Sequence, residues 1–124
     1  MTATRLAFAA LATVCLSSTA FAQDSSRIDD LDIDRINAHQ IEIEFEYDGS
    51  ACERVEPAQL GEIVDGTLAV TFPTVATAEV CTQQLVEIEV EQVVDADESV
   101  RMVEVTLLRP DGSVLATRTE RVDD

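Results

Sequence analysis

Carboxylates are the one chemically active residue type this sequence supplies in quantity: 25 Asp and Glu stand against 8 Arg, no Lys and a single His. Six of them alternate with apolar residues in two runs, "IEIEFEY" (Ile41 to Tyr47) and "VEIEVEQ" (Val86 to Gln92), which hold Glu42, Glu44 and Glu46 and then Glu87, Glu89 and Glu91. Asp95, Asp97 and Glu98 crowd into "DADES". Such groups can hold a divalent cation, attract a basic protein, or hydrolyse a bond where their pKa values are split. Calcium needs six to eight oxygens converging at about 2.3 to 2.6 Å. Side chains on a flat strand project side by side, so the weak metal candidates are Asp95, Asp97 and Glu98 on their bend rather than the two runs. Asp30, Asp32 and Asp34 open an EF-hand pattern that fails, with Arg35 at the glycine position and Ile41 at the closing glutamate position.

The residue types point away from catalysis. His39 is the only histidine, beside the first acidic run, and a lone histidine there reads as a surface residue rather than a general base. Without lysine there is no Schiff base and no P-loop, and no G-x-G-x-x-G or G-x-S-x-G string occurs. Hydrolysis by two carboxylates stays formally open, but it requires burial or a neighbour to separate the two pKa values, and a solvated row of glutamates lacks that environment. No cofactor is called for.

The first 22 residues read as a cleaved secretory signal: Arg5, an apolar run from Leu6 to Leu16, and Ala20-Phe21-Ala22 at the cleavage site. A membrane span would need about 20 apolar residues, and this run gives way to Ser17, Ser18 and Thr19. Cys15 follows Val14, not the small residue a lipoprotein cleavage site needs, so no lipid anchor is expected. Removal leaves 124 − 22 = 102 residues, one domain's worth, with a charge of 7 − 25 = −18. That charge repels nucleic acid and anionic headgroups, no membrane insertion follows cleavage, and the favoured partner is a basic protein. Cys52 and Cys81 then remain as an even pair in an exported chain, which reads as one structural disulfide closing a loop of 81 − 52 = 29 positions.

The elements that would carry these groups have a period of two, with turn formers between them. Residues 23–38 are acidic and only weakly periodic, consistent with a tail, a short helix opened by Ser26, or a first strand. Ile41, Ile43, Phe45 and Tyr47 share one strand face, and the glutamates share the other. A short segment through Cys52 and Val55 stops at Pro57, and "TVATAEVC" carries Cys81. Asp65-Gly66 predicts a tight hairpin between "EIV" and "TLAVTF". The strand from Leu85 to Val94 should bulge or bend near Gln92, where the acidic alternation fades. "LLRPDGSVLA" predicts a hairpin in which paired positions sum to 222, so that Leu107 meets Leu115, Val105 meets Thr117, Val103 meets Thr119 and Glu104 meets Arg118.

These features predict an all-β domain over residues 39–124, a small Ig-like antiparallel β-sandwich of about seven strands with one disulfide, with a small β-barrel as the alternative. Same-face glutamates lie about 6.7 Å apart along a strand and repel by roughly 0.6 kcal/mol per pair in water, which the apolar side offsets at roughly 1.5 to 3 kcal/mol per buried residue. If the two runs are neighbours in a sheet, an arginine such as Arg118 or Arg101 between them is the natural relief. The functional expectation is a non-catalytic periplasmic or secreted module that binds another protein through the acidic face. A weak divalent-cation binder of the cell envelope ranks second and a small carboxylate hydrolase third.

Overall fold

The computed structural model describes residues 27–124; the signal expected over residues 1–22 lies outside the described residues. Those described form no helix and nine strands: β1 (Asp29–Asn37), β2 (Gln40–Ser50), β3 (Glu53–Val55), β4 (Gln59–Val64), β5 (Thr67–Phe72), β6 (Thr74–Ala76), β7 (Leu85–Asp95), β8 (Met102–Leu108) and β9 (Val114–Arg121). They pair as three sheets ordered β1-β2-β7, β3-β6 and β4-β5-β8-β9. All pairings are antiparallel except β5 with β8, which run parallel. The four-stranded sheet is therefore mixed rather than wholly antiparallel.

Alternation builds the core. Ile41, Ile43, Phe45 and Tyr47 of β2 are all buried, as are Leu68, Val70 and Phe72 of β5 and Val103, Val105 and Leu107 of β8. Phe45 meets Phe72 edge to face with centroids 5.1 Å apart, which joins the three-stranded and four-stranded sheets in one apolar cluster. Gly49, near the end of β2, lets the backbone approach its neighbours: a Cβ there would fall 2.6 Å from Ile88 Cδ1 and 2.8 Å from Tyr47 Cε2.

Within the acidic segment before Ala38, Asp29–Asn37 form the first strand of a sheet. Leu31 and Ile33 of β1 are buried against the core, and Asp32 and Asp34 face out. Its alternation is hidden in the sequence by a register shift between Asp29 and Asp32, where Asp30 takes φ 50°. The Asp65-Gly66 hairpin is as expected, with φ 50° and 80° at its two residues and Val64 opposite Thr67.

Two local expectations fail. β7 pairs with β2 in unbroken register from Leu85 to Asp95, so there is no bulge at Gln92. The polar Gln92 lies on the inner side instead, where its amide donates to the Glu56 carbonyl (3.1 Å) and accepts from the Ala58 N–H (2.8 Å). In the last hairpin the turn closes as predicted, with Arg109 N–H on Ser113 O at 2.7 Å and Leu108 opposite Val114. One extra residue then enters β9, so Leu107 meets Ala116, Val105 meets Arg118, Val103 meets Glu120 and Glu104 meets Thr119. A one-residue bulge reverses the face of everything beyond it.

Cys52 and Cys81 are joined, tying the corner after β2 to the irregular segment before β7. Such a bridge persists in a non-reducing compartment. No helix among the described residues is long and apolar enough to cross a membrane.

Candidate functional site: an acidic sheet face

β2 is the middle strand of its sheet, so the two glutamate runs are direct neighbours and β1 adds a third row. Asp32, Glu44 and Glu91 lie in register across the three strands; Asp34 faces Glu42, Glu46 faces Glu89, and Asp48 faces Glu87. With Asp30, turned to this side by the β1 irregularity, ten carboxylates share the face: Asp30, Asp32 and Asp34, then Glu42, Glu44, Glu46 and Asp48, then Glu87, Glu89 and Glu91. Opposed Cβ atoms in such a pair are about 4.5 to 5.5 Å apart, so repulsion across the strands exceeds that along them.

Four of the arginines are engaged elsewhere. Arg27 pairs at 3.9 Å with Asp29, which lies opposite Glu46 at the edge of the face, while Arg35, Arg54 and Arg118 pair with Asp124, Glu56 and Glu120, away from these ten. The expected relief by Arg118 or Arg101 is therefore overturned. The β9 bulge sends Arg118 to the inner side, where it donates to the Ile28 carbonyl at 3.0 Å, and Arg101 lines a cleft beyond the acidic face. The face responds by holding protons more tightly. Glu44 titrates above its ordinary value because it shares a hydrogen bond with Glu42, is partly desolvated, and sits beside the charges of Glu42, Asp34 and Asp32. Glu46 is raised chiefly by the charge of Glu87, then by desolvation and by Asp30 and Glu89.

The side chains converge more than a flat strand suggests. Carboxylate oxygens of Asp34, Glu42 and Glu44 come within 4.8 Å of one another, as do those of Glu46, Glu87 and Glu89. A shallow depression of about 280 Å³ runs between the rows, with Phe45 and Val90 in its floor. Asp95, Asp97 and Glu98 form no such group among the described residues. Asp97 is committed to a turn, accepting from the hydroxyl and N–H of Ser99, and those bonds hold its pKa below the ordinary value. His39 is exposed in the turn between β1 and β2.

Two polar features near the ends of this sheet escaped the sequence reading. The buried Tyr47 hydroxyl donates to Glu53 Oε2 at 2.9 Å while Glu53 Oε1 accepts the Ser50 N–H, which fixes the corner next to the disulfide. Burial, followed by the bond to Glu53, raises the Tyr47 pKa. At the other end Arg35 donates to the carbonyls of Asn37, Ala96, Asp97 and Val100 at 2.9 to 3.1 Å. Behind it opens a cleft of about 760 Å³ whose charged lining is balanced: Arg35, Arg101 and Arg121 against Asp65, Glu98 and Asp124. Arg35 is set apart from surface charges by partners some sixty residues away, which leave no signature in one sequence, whereas Glu53 bonds Ser50 and Tyr47, three and six residues back.

No family model, curated protein or solved structure matches the chain.

Proposed function

We propose that the protein is an exported, non-catalytic β-sandwich module, working in the periplasm or outside the cell, which binds a basic protein through the outer face of β1, β2 and β7. The observation that carries this reading is the set of ten carboxylates on one sheet face, none of which is in the ion pairs made by Arg27, Arg35, Arg54 and Arg118. A polyanionic patch of that kind concentrates cationic partners, raises their association rate and opposes nucleic acid. Glu44 is raised first by its hydrogen bond with Glu42 and Glu46 by the charge of Glu87, with desolvation second in both, and these are neighbours within one sheet face rather than a pair set across a cleft, which favours binding over hydrolysis. Two sheets sharing one apolar cluster favour the sandwich over the barrel.

Capture from an envelope extract tests it. The partner should be basic, should be released as salt is raised, and should be lost when Glu44, Glu46 and Glu89 are changed together to Gln. Retention of a neutral partner at high salt rejects the reading.

A divalent cation is the second reading, favoured by the two carboxylate triplets. Each offers three of the six to eight oxygens that calcium takes, so water would supply the rest. An unmoved melting temperature in millimolar calcium eliminates it.

A further inference from the structure

The face ends at an open strand edge. Among the described residues β7 is the last strand of its sheet, and its N–H and C=O groups on the side away from β2 meet no further strand there. Of the other sheet edges among the described residues, β3 and β6 are only three residues long and the rest are interrupted. β1 carries Asp123 along its outer side, with Arg35 N–H on Asp123 O at 2.8 Å and Asp123 N–H on Ile33 O at 2.7 Å. β4 is broken by a register shift between Leu60 and Ile63. β9 has the bulge described above and carries Arg118 and Arg121. β7 alone offers a continuous eleven-residue edge. Beside it runs a groove of about 300 Å³, walled by Glu53, Arg54 and Val55 of β3 and by the β7 residues 88–92, including Glu89 and Glu91.

Resting on the binding mode proposed above, we infer that the β7 edge takes an extended basic segment of the partner as an added strand. An added strand sets its residues directly opposite those of β7, with alternate side chains on alternate faces. One face must answer Glu87, Glu89 and Glu91, and the other must answer Val86, Ile88 and Val90 and the groove. The matching segment therefore alternates lysine or arginine with aliphatic residues. A second copy of this chain does not fit: with the faces matched, β7 against β7 centres Glu89 on Glu89 and sets Glu87 against Glu91.

The test uses the whole protein and a short synthetic peptide alternating lysine and valine. Three comparators accompany it: the same peptide N-methylated at alternate amides, a glutamate-valine version, and the E87Q/E89Q/E91Q variant of the protein. The lysine peptide should bind at low salt and slow hydrogen exchange at every second amide of β7. N-methylation should cost about tenfold or more in affinity by removing backbone hydrogen bonds, the variant should lose about three- to tenfold, and the glutamate peptide should not bind. Binding with unchanged β7 exchange and no penalty for N-methylation overturns the added strand while leaving the acidic-face reading intact. Absence of lysine-peptide binding also overturns the added strand, and salt-sensitive capture of a basic partner then judges the acidic face separately.

Discussion

Glu44 has Asp32 on one side and Glu91 on the other, with Glu42 close enough to share a proton, and its environment sets the pH response of the face. Because Glu44 and Glu46 titrate above their ordinary value of 4.5, the folded chain binds more protons than the unfolded one in the window just above it. Their contribution is fully present below that value and is lost as pH rises through the folded pKa values. Asp97 and Asp111 act in the opposite sense: serine hydroxyls and N–H groups lower them from 3.8, so their contribution is present above that value and lost as pH falls through their folded pKa values. Melting temperature should therefore climb as pH falls from 7 towards 4.5 and drop again below about 3.8, the ordinary aspartate value; a monotonic fall from pH 7 contradicts this. Glu44→Gln should raise the melting temperature at pH 7, with a smaller gain at high salt. Arg35 answers to different physics, because its guanidinium satisfies four carbonyls of the β1–β2 turn and the β7–β8 connection and its side chain is only 13% exposed. Arg35→Ala should cost about 2 to 4 kcal/mol by urea denaturation, since hydrogen bonds to a charged group contribute about 1.5 to 3 kcal/mol and orphaned carbonyls add a penalty. Arg35→Lys should recover only part of the loss, because an ammonium lacks the fork that reaches several acceptors.

At the level of the strand, period two was enough to place β2 and β7 and to say which side of each faces water. Tyr47, at 1% exposure, and Val90, at 6%, lie where alternation puts them. Bulges were the blind spot. One residue inserted in β9 moved Arg118 from the side expected to carry it, and the shift in β1 hid a strand, because a single extra residue leaves composition unchanged while reversing a face. At Gln92 the fading pattern suggested a bulge or a bend; the register holds no bulge, and the polar side chain bonds the segment after β3. The Cys52–Cys81 bridge closes 29 positions, for which the chain-entropy model gives roughly 3 to 4 kcal/mol. The Cys52→Ala/Cys81→Ala double variant should lose about that much in urea denaturation at unchanged pH. Little or no loss would mean that the corner is held by Tyr47, Ser50 and Glu53 alone.

For the molecule as a whole, self-repulsion sets the behaviour in salt. The full chain carries a net charge of −17, and ten of its carboxylates share one sheet face. Added sodium chloride should raise the melting temperature progressively up to roughly 0.5 M, where screening shortens the Debye length to a few ångströms. Loss of stability over that range would mean that ion pairs outweigh repulsion. Composition and local period were sufficient for the charge, the lack of lysine, the all-β class and the pairing of two cysteines, since each follows from residue identity or from neighbours a few positions apart. The adjacency of the two glutamate runs, the third row from β1, the carbonyl clamp of Arg35, the parallel β5–β8 pair and the open edge of β7 depend on contacts between residues far apart in the chain. Any of several strand orders would bury the same apolar faces, and the choice among them lies in the packing of particular side chains and in bulges that shift register without changing the pattern around them.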